Sequence, residues 1–270
     1  MQHDLKSPPL TGLLVAAGII AIWIGSLTLL LLIDISELAP VWILPAILGR
    51  TFIQTGLFIV AHDAIHGSVF ADQLRLNHAV GRLAVMLYAL LSYQQLSAKH
   101  WQHHRYPGQT GDPDFQAGCG DNWFGWYLKF MQGYLDFRQT IVQLFGIGTI
   151  FLVLHFGCHL HVANLCLFWI VPIVLSSMQL FFFGTYLPHR IATQAADEEA
   201  LGLQLGSRGN RATSSNYPPL WSFLTCYHFG YHWEHHEYPD LPWYSLPSVR
   251  QNSGDYPRST KTVLKKYLFR

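Results

Sequence analysis

The chain has 270 residues, of which 50% are hydrophobic and only 12% are charged. Soluble domains have about 25% charged residues, so this composition predicts an integral membrane protein. The formal net charge of +1, without a run of lysine or arginine, excludes a nucleic-acid-binding function.

Four stretches are long and apolar enough to cross the ~30 Å hydrocarbon core of a bilayer as helices. In chain order they are residues 10–33, 41–61, 141–158 and 164–187. The first is too long for a signal-peptide core and has no cleavage pattern, so we expect it to remain in the mature chain. The sequence therefore predicts an all-α, multi-pass membrane protein with four transmembrane helices in two hairpins.

The turns of the two predicted hairpins, residues 34–40 and 159–163, contain none of the 17 lysines and arginines. Positive residues concentrate on the cytoplasmic side of a membrane, so both turns are predicted to face away from the cytoplasm. Between His66 and His100 the longest apolar run is residues 83–91, which is too short to cross. We expect this segment at the cytoplasmic interface.

Arg50 is an unusual residue for a membrane helix. It lies about 14 Å inside the second predicted helix at 1.5 Å per residue, and the predicted membrane segments contain no acidic partner for it. A buried charge of this kind needs hydrogen bonds. Backbone carbonyls and Gln54 are the candidate partners.

Three histidine clusters follow the predicted helices: residues 62–66 (HDAIH), 100–104 (HWQHH) and 232–236 (HWEHH). On a helix, positions i, i+3 and i+4 share one face, so each cluster can direct its imidazoles at one point. Neutral imidazole binds iron, copper or zinc, and eight histidines exceed a four-coordinate zinc site, which indicates two metal ions. The predicted ligands are His62, His66, His100, His103, His104, His232, His235 and His236, with His189 after the fourth helix as a ninth.

A single histidine pair at this spacing is more often a surface or capping feature than a metal site. Three clusters, placed on the cytoplasmic face by the predicted topology, favour metal binding instead. The remaining histidines have other interpretations. We expect His3 and His78 in solvent and His155, His159 and His161 toward the opposite face, whereas His228 is either an alternative ligand or a partner of a ligand.

Four carboxylates lie in or near the clusters. Metal-bound imidazoles usually donate their second N–H to such groups. Asp63 and Glu234, which are flanked by predicted ligands, are expected in this role, and Asp114 is a third candidate catalytic carboxylate. Helix capping or solvation explains Asp112 equally well. The four cysteines (Cys119, Cys158, Cys166 and Cys226) lack metal-binding spacing and are assigned no function.

A site made mainly of neutral histidine leaves the positive charge of two metals largely uncompensated, which suits the binding and reduction of O2. Such a site can break an unactivated C–H bond. An apolar substrate would reach it from the bilayer through a tunnel between the helices. Most of the abundant aromatic residues, including the run at residues 181–183, are expected in the core or at the membrane interface rather than in the tunnel.

The order of the clusters and their relation to two hairpins resemble the membrane fatty-acid desaturase and hydroxylase superfamily over nearly the whole chain. The segments FIVAHDAIHG, AKHWQHHRYPGQTGDPDF and LTCYHFGYHWEHHEYPDLPWYSLP resemble the bacterial β-carotene ketolases, or carotenoid 4-oxygenases. One departure is Tyr244, where the resemblance leads us to expect a second tryptophan.

The resemblance implies one membrane-bound di-iron oxygenase domain over residues 1–270, with the nine histidines as iron ligands. It implies two O2-dependent hydroxylations at C4 of each β-ionone ring, which convert β-carotene to echinenone and then canthaxanthin. Electrons would come from reduced ferredoxin, docked on a basic cytoplasmic patch for which Lys99, Arg105 and Arg190 are candidates.

Three alternatives remain open from the sequence. An acyl-lipid desaturase would use the same metals but form a double bond in an acyl chain. A carotenoid 3-hydroxylase would have different spacing in its histidine clusters. A metal transporter would carry its site near the bilayer midplane, usually with intramembrane carboxylates, which the predicted spans lack.

Overall fold

The computed structural model of the chain describes residues 10–109, 111–115, 122–190 and 212–252. His3, Cys119 and most of the connection at residues 192–217 lie outside this part. The described residues form helices α1 (Thr11–Leu32), α2 (Ile43–Ile65), α3 (Leu74–Ala89), α4 (Tyr93–Arg105), α5 (Trp123–Tyr134), α6 (Phe137–Gly157), α7 (Val162–Arg190), α8 (Pro219–Cys226), α9 (His232–Glu237) and α10 (Leu246–Asn252).

Four of these helices are long and apolar enough to cross a membrane: α1, α2 with the 3₁₀ turn Pro40–Trp42 before it, α6 and α7. For the described residues, this confirms the prediction of an all-helical fold with four candidate spans. The bounds agree within four residues, and the largest differences are at the start of α6 and at the end of α2. That helix continues to Ile65, so the first histidine cluster begins on its last turn.

Large apolar side chains cover the outer surfaces of α1 and α6. Leu14 is 69% exposed, and Leu144 and Phe145 are 70% and 72% exposed. A soluble domain rarely presents such a continuous apolar surface. These apolar surfaces are suited to contact with the acyl chains of lipids.

The core is built around α2, where Leu57, Ile59 and Ala61 have no exposed surface. Helix α3 packs along α2 and is too short to cross a bilayer, since 16 residues span about 24 Å. Gly81 makes this contact possible, because a Cβ atom there would lie 2.7 Å from the Cβ of Ala64 and would also collide with the Tyr93 ring.

Backbone carbonyls are the partners of Arg50, as one of the two predictions proposed. Its guanidinium donates to the carbonyl oxygens of Phe168 (3.2 Å) and Trp23 (3.3 Å) and to Ser26 Oγ (2.8 Å). The other predicted partner was wrong. Gln54 instead accepts from Trp23 Nε1 at 2.6 Å and donates to the Tyr88 carbonyl at 2.5 Å, so these polar bonds join α1, α2, α3 and α7.

Local conformations at the helix ends turn the chain, so that the histidine-bearing elements meet at one end of the helix bundle. Leu90 ends α3 in the left-handed conformation (φ 55°), and Ser92 caps α4 by accepting from Gln95 N. Helix α7 contains a π-helical segment, Phe181–Tyr186, just before His189. Such segments change which residues face the site. The carboxyl ends of α2 and α7 thus lie beside α4 and α9.

Candidate metal centre

The structure brings all nine predicted ligands into one buried cluster, and their ring nitrogens divide it into two groups. The first group is His62, His66, His100 and His235, whose candidate ligand atoms lie within 4.8 Å of one another. His104 adjoins this group, with its Nε2 3.1 Å from that of His100 and 2.9 Å from that of His235. The first group therefore has five imidazoles.

The second group is His103, His189, His232 and His236, again within 4.8 Å of one another. The Nε2 atom of His103 lies 2.9 Å from that of His236 and 3.3 Å from that of His232. The Nε2 atom of His232 lies 3.1 Å from those of both His189 and His236. Four Nε2 atoms from α4, α7 and α9 thus face one point.

These separations fit metal ligation. An imidazole nitrogen binds a first-row metal such as zinc at about 2.0–2.1 Å, which places two nitrogens on the same ion about 2.9–3.4 Å apart. The Nε2 distances in the second group are 2.9 to 3.3 Å. In the first group, the buried Nε2 atom of His62 has no hydrogen-bond partner, as expected of a nitrogen reserved for a metal.

Burial keeps most of these imidazoles neutral. It lowers the pKa of His66, His100, His232, His235 and His236 well below the ordinary value, and neighbouring imidazoles lower it further. The same causes lower the pKa of His104 to about 3. A neutral imidazole has a free lone pair. At neutral pH these nitrogens can therefore bind metal without first losing a proton.

His103 differs because two carboxylates adjoin it. Its Nδ1 donates to Asp112 Oδ1 at 2.8 Å and lies 3.9 Å from Asp114 Oδ2. Burial acts to lower the pKa of His103, but the charge of Asp114 and the charge and hydrogen bond of Asp112 outweigh it and raise the pKa. A proton held on Nδ1 leaves the Nε2 lone pair for the second group.

The role of Asp112 is the main site feature that the sequence left undecided. Orientation of an imidazole, and helix capping or solvation, explained this residue equally well, and the structure buries it (4% exposed) against His103. It also accepts from the backbone N–H groups of Gly108 (2.7 Å) and Asp114 (2.9 Å). The signal in the sequence was the Gly-Asp-Pro-Asp turn close behind the second cluster, since a carboxylate there can reach back to α4.

The three carboxylates named from the sequence have different surroundings. Asp63 Oδ1 lies 3.5 Å from His62 Nδ1, and its other oxygen accepts from Trp243 N at 3.1 Å. The described hydrogen bonds of Glu234 come from Arg250 Nη1 (2.8 Å) and Ser214 Oγ, and they connect α9 to α10 and to the segment before α8. Asp114 accepts hydrogen bonds from side chains of α5 and α7.

The other described histidines lie outside both groups. His228 stacks on Tyr231 with ring centroids 5.4 Å apart, and burial lowers its pKa to about 4. His155 contacts the Leu160 carbonyl at 2.9 Å, and His159 and His161 are exposed. The expectation that His78 is solvated was wrong, because it is half-buried with its Nδ1 2.9 Å from the Tyr93 hydroxyl.

An apolar cavity of about 540 Å³ leads to the two histidine groups. At one end it is lined by His62, His100 and His232. At the other it runs between α6 and α7, where the lining residues include Ile147, Phe151, Ile173 and Val174. The volume lies within the range of small-molecule sites, about 300–1,000 Å³. The run at residues 181–183 does not line it, and Phe181 is fully buried in the core, as expected.

Comparison with known proteins agrees with this geometry. Residues 36–265 match the model of the family described as fatty acid desaturase. The chain belongs to the fatty acid desaturase family. Within that family it is similar to curated β-carotene ketolases, which confirms the resemblance seen in the three histidine segments.

Two of these relatives are bacterial. A β-carotene ketolase of Paracoccus sp. (strain N81106 / MBIC 01143) is 38% identical over 256 residues, which cover 94% of this chain and 98% of the relative. Another, from Paracoccus sp. (strain PC1), is 41% identical over 207 residues, or 76% and 78% of the two chains. The zeaxanthin 4-ketolase of Chlamydomonas reinhardtii is 37% identical over 92% of this chain and 55% of its own. The human sphingolipid delta(4)-desaturase is only 27% identical.

Proposed function

We propose that this chain is a β-carotene 4-ketolase of the fatty acid desaturase family, which oxidises C4 and C4' of the β-ionone rings to ketones. The observation that carries the proposal is the apolar cavity that ends on His62, His100 and His232. It suits a hydrocarbon substrate drawn from the bilayer. The identity to β-carotene ketolases over most of the chain supports the choice of substrate.

The nine histidines are proposed to hold two iron ions, one in each group. Iron bound there would supply the reduction of O2 and the oxidation of a C–H bond. Asp112 holds the Nδ1 proton of His103. Asp63 Oδ1 lies 3.5 Å from His62 Nδ1 without a hydrogen bond to it. Glu234 keeps α9 in place through Arg250 and Ser214. Asp112 therefore positions an imidazole, and Glu234 positions the helix that carries three of them.

The apolar wall of the cavity orients the ring and excludes water. The C4–H bond is allylic and therefore among the weakest on the ring. Each hydroxylation consumes one O2, two electrons and two protons, puts one oxygen atom on the carbon and releases the other as water. A second hydroxylation at C4 gives a geminal diol, which loses water to become the ketone.

The electrons are proposed to come from a reduced ferredoxin. Arg105 is exposed at the end of α4, and Lys99 is half-buried on the same helix. Arg190 is half-buried at the end of α7, directly after His189. These three positive side chains are close in sequence to metal ligands, and a small acidic electron carrier would be attracted to such a surface.

The metal centre is proposed to face the cytoplasm, with α1–α2 and α6–α7 as two transmembrane hairpins. The turns between the paired helices contain neither lysine nor arginine. A single cysteine placed at His161 in a cysteine-free variant should react with an impermeant thiol reagent from the side opposite to one placed at Arg105. Labelling of both from the same side would contradict this topology.

Pigment analysis of β-carotene-producing cells that express the chain tests the activity. We expect new carotenoids with the absorption and mass of one-ketone and two-ketone products, and their absence from cells expressing His103→Ala. Unchanged β-carotene beside altered membrane fatty acids would overturn the proposal in favour of an acyl-lipid desaturase.

A further inference from the structure

A buried carboxylate in the cavity wall makes no hydrogen bond to any of the nine histidines among the described residues. Asp114 is 6% exposed and is the one acidic residue among the described residues that line the cavity. Its nearer oxygen lies 3.9 Å from His103 Nδ1, beyond hydrogen-bonding distance, and Asp112 already accepts the proton of that nitrogen. Asp114 therefore needs another explanation.

The surroundings hold Asp114 in a fixed position. Tyr134 of α5 donates its hydroxyl to Oδ1 at 2.5 Å, and Thr185 of α7 donates to Oδ2 at 3.3 Å. Trp126 Nε1 donates to the backbone carbonyl of Asp114 at 3.0 Å, and the backbone N–H of Asp114 donates to Asp112 at 2.9 Å. The carboxylate is thus oriented from several sides, beside the metal centre.

Three oxygen-bearing side chains, Asp114, Tyr134 and Thr185, line the cavity together. We call them the polar patch. A carboxylate has about four lone-pair positions, and the described hydrogen bonds from side chains use two of them. The Tyr134 and Thr185 oxygens can also accept while they donate to Asp114. The patch therefore has spare acceptors, whereas β-carotene has no donor.

The proposed reaction creates a donor part-way through. After the first hydroxylation C4 carries one hydroxyl and one remaining hydrogen. For the second hydroxylation that hydrogen must face the metal centre, so the hydroxyl must point elsewhere. In an apolar cavity a hydroxyl without a partner is costly. An acceptor beside the metal centre removes this cost and holds the ring for the second reaction.

We propose that the polar patch binds the hydroxyl of a ring alcohol, and that it retains the 4-hydroxy ring so that oxidation proceeds to the ketone. This inference rests on the proposed function, because it concerns the alcohol formed by the first of the two hydroxylations. Asp114 accepts a hydrogen bond from the alcohol O–H. Tyr134 and Thr185 position the carboxylate and supply further acceptors.

The experiment compares the products of variants in β-carotene-producing cells, with the ratio of 4-hydroxy to 4-keto rings as the readout. In Asp114→Asn the anionic acceptor is lost with little change in shape, and the ratio should rise at least about 10-fold, as expected for one hydrogen bond to a charged group. The readout is a ratio between two oxygenated products, so a general loss of activity that lowers both products equally does not change it.

A second variant, Tyr134→Phe with Thr185→Val, keeps the carboxylate and removes both hydroxyls, and it should raise the ratio in the same direction. The matched control is Tyr127→Phe. Tyr127 lies on the same helix and lines the same cavity, but its hydroxyl bonds to Ser177 at 2.7 Å. This control should leave the ratio unchanged.

A complementary measurement supplies a 4-hydroxylated carotenoid to membranes that contain each variant. The wild type should convert it to the ketone, and both patch variants should show a higher KM for the alcohol without losing bound iron. A wild-type ratio and KM in both variants would overturn the inference, as would an equal loss of alcohol and ketone in both. If the wild type oxygenates no ring at all, the proposed function itself fails.

Discussion

His103 and Asp112 form a buried pair in which Nδ1 of the imidazole donates to the carboxylate at 2.8 Å, and neither side chain has any exposed surface. The two residues are nine positions apart in the sequence, and the carboxylate meets α4 at His103. Asp112 fixes the proton on Nδ1, so the free lone pair of His103 is on Nε2. This is the atom that lies near His232 and His236. The pair therefore determines which nitrogen is available to a metal.

Asp112→Asn should weaken iron binding about 10- to 100-fold, the usual effect of losing an outer partner of a metal-bound histidine. The amide can present an N–H to Nδ1 and so favour the wrong tautomer. The measurement is iron per chain after dialysis of purified protein against a graded chelator. Asp72→Asn, at an exposed position, serves as the control. Equal iron retention by both variants would show that Asp112 does not act on the metal.

His103→Ala should abolish ketone formation while the chain still accumulates in the membrane, since α4 is not a membrane span. The loss removes one of only four nitrogens in its group. Product analysis and membrane fractionation check the two parts. His78→Ala removes a histidine that contacts Tyr93 outside both groups and should retain activity. Substantial ketone formation by His103→Ala would mean that the metal centre lies elsewhere.

The four spans could be predicted from the length of their apolar stretches, and the gathering of the histidines from their helical spacing and the predicted topology. The division into two groups could not. His103 and His104 are adjacent on α4, about 100° apart around the helix, and they join different groups. The last cluster is divided in the complementary way: His235 belongs to the first group and His232 to the second. Which histidines share a group depends on how α4 packs against α9.

The roles of the carboxylates could not be predicted from the sequence either. Proximity along the chain suggested that Glu234 orients an imidazole, but its described bonds run to Arg250 and Ser214. Asp112 lies farther along the chain from its histidine, yet it is the carboxylate that hydrogen-bonds to an imidazole, as had been expected of Glu234. Burial decides between such carboxylates, and burial depends on tertiary packing.

Gly184→Ala should lower activity at least about 10-fold, because shifts of an ångström in a site of this kind have large effects. A Cβ atom at Gly184 would collide with the ring of Phe229. That ring packs against His62 with centroids 4.8 Å apart, so its displacement would disturb the first group. Gly18→Ala is the control, since a Cβ there meets no atom within 4 Å. Activity should be measured per chain in the membrane. Normal activity of Gly184→Ala would show that the cavity adapts to Phe229.

Gln54→Leu should destabilise the folded protein by about 1–3 kcal/mol, the cost of a buried polar group that loses its partner. Gln54 has no exposed surface and accepts the indole N–H of Trp23 at 2.6 Å. The unfolding midpoint in detergent should fall. Trp23→Phe removes the indole N–H, so adding Gln54→Leu to it should cost less than Gln54→Leu alone. Strict additivity of the two changes would contradict a shared hydrogen bond.

The iron-free protein should lose stability as the pH falls from about 7, because its buried histidines resist protonation. In the folded chain the pKa values of six of them lie below the unfolded value of about 6.5, and that of His104 is about 3. The other five are His66, His100, His232, His235 and His236. The raised pKa of His103 acts in the opposite direction. Below pH 6.5 the unfolded chain binds protons that the folded chain does not, so acid favours unfolding. The stability that the neutral imidazoles contribute is present above pH 6.5 and is lost progressively toward pH 3.

Unfolding midpoints of chelator-treated protein between pH 7.5 and 5 measure this effect. His104→Gln should flatten the dependence, whereas His161→Gln, at an exposed position, should not. A midpoint that stays constant over this range would show that the cluster opens to solvent without iron.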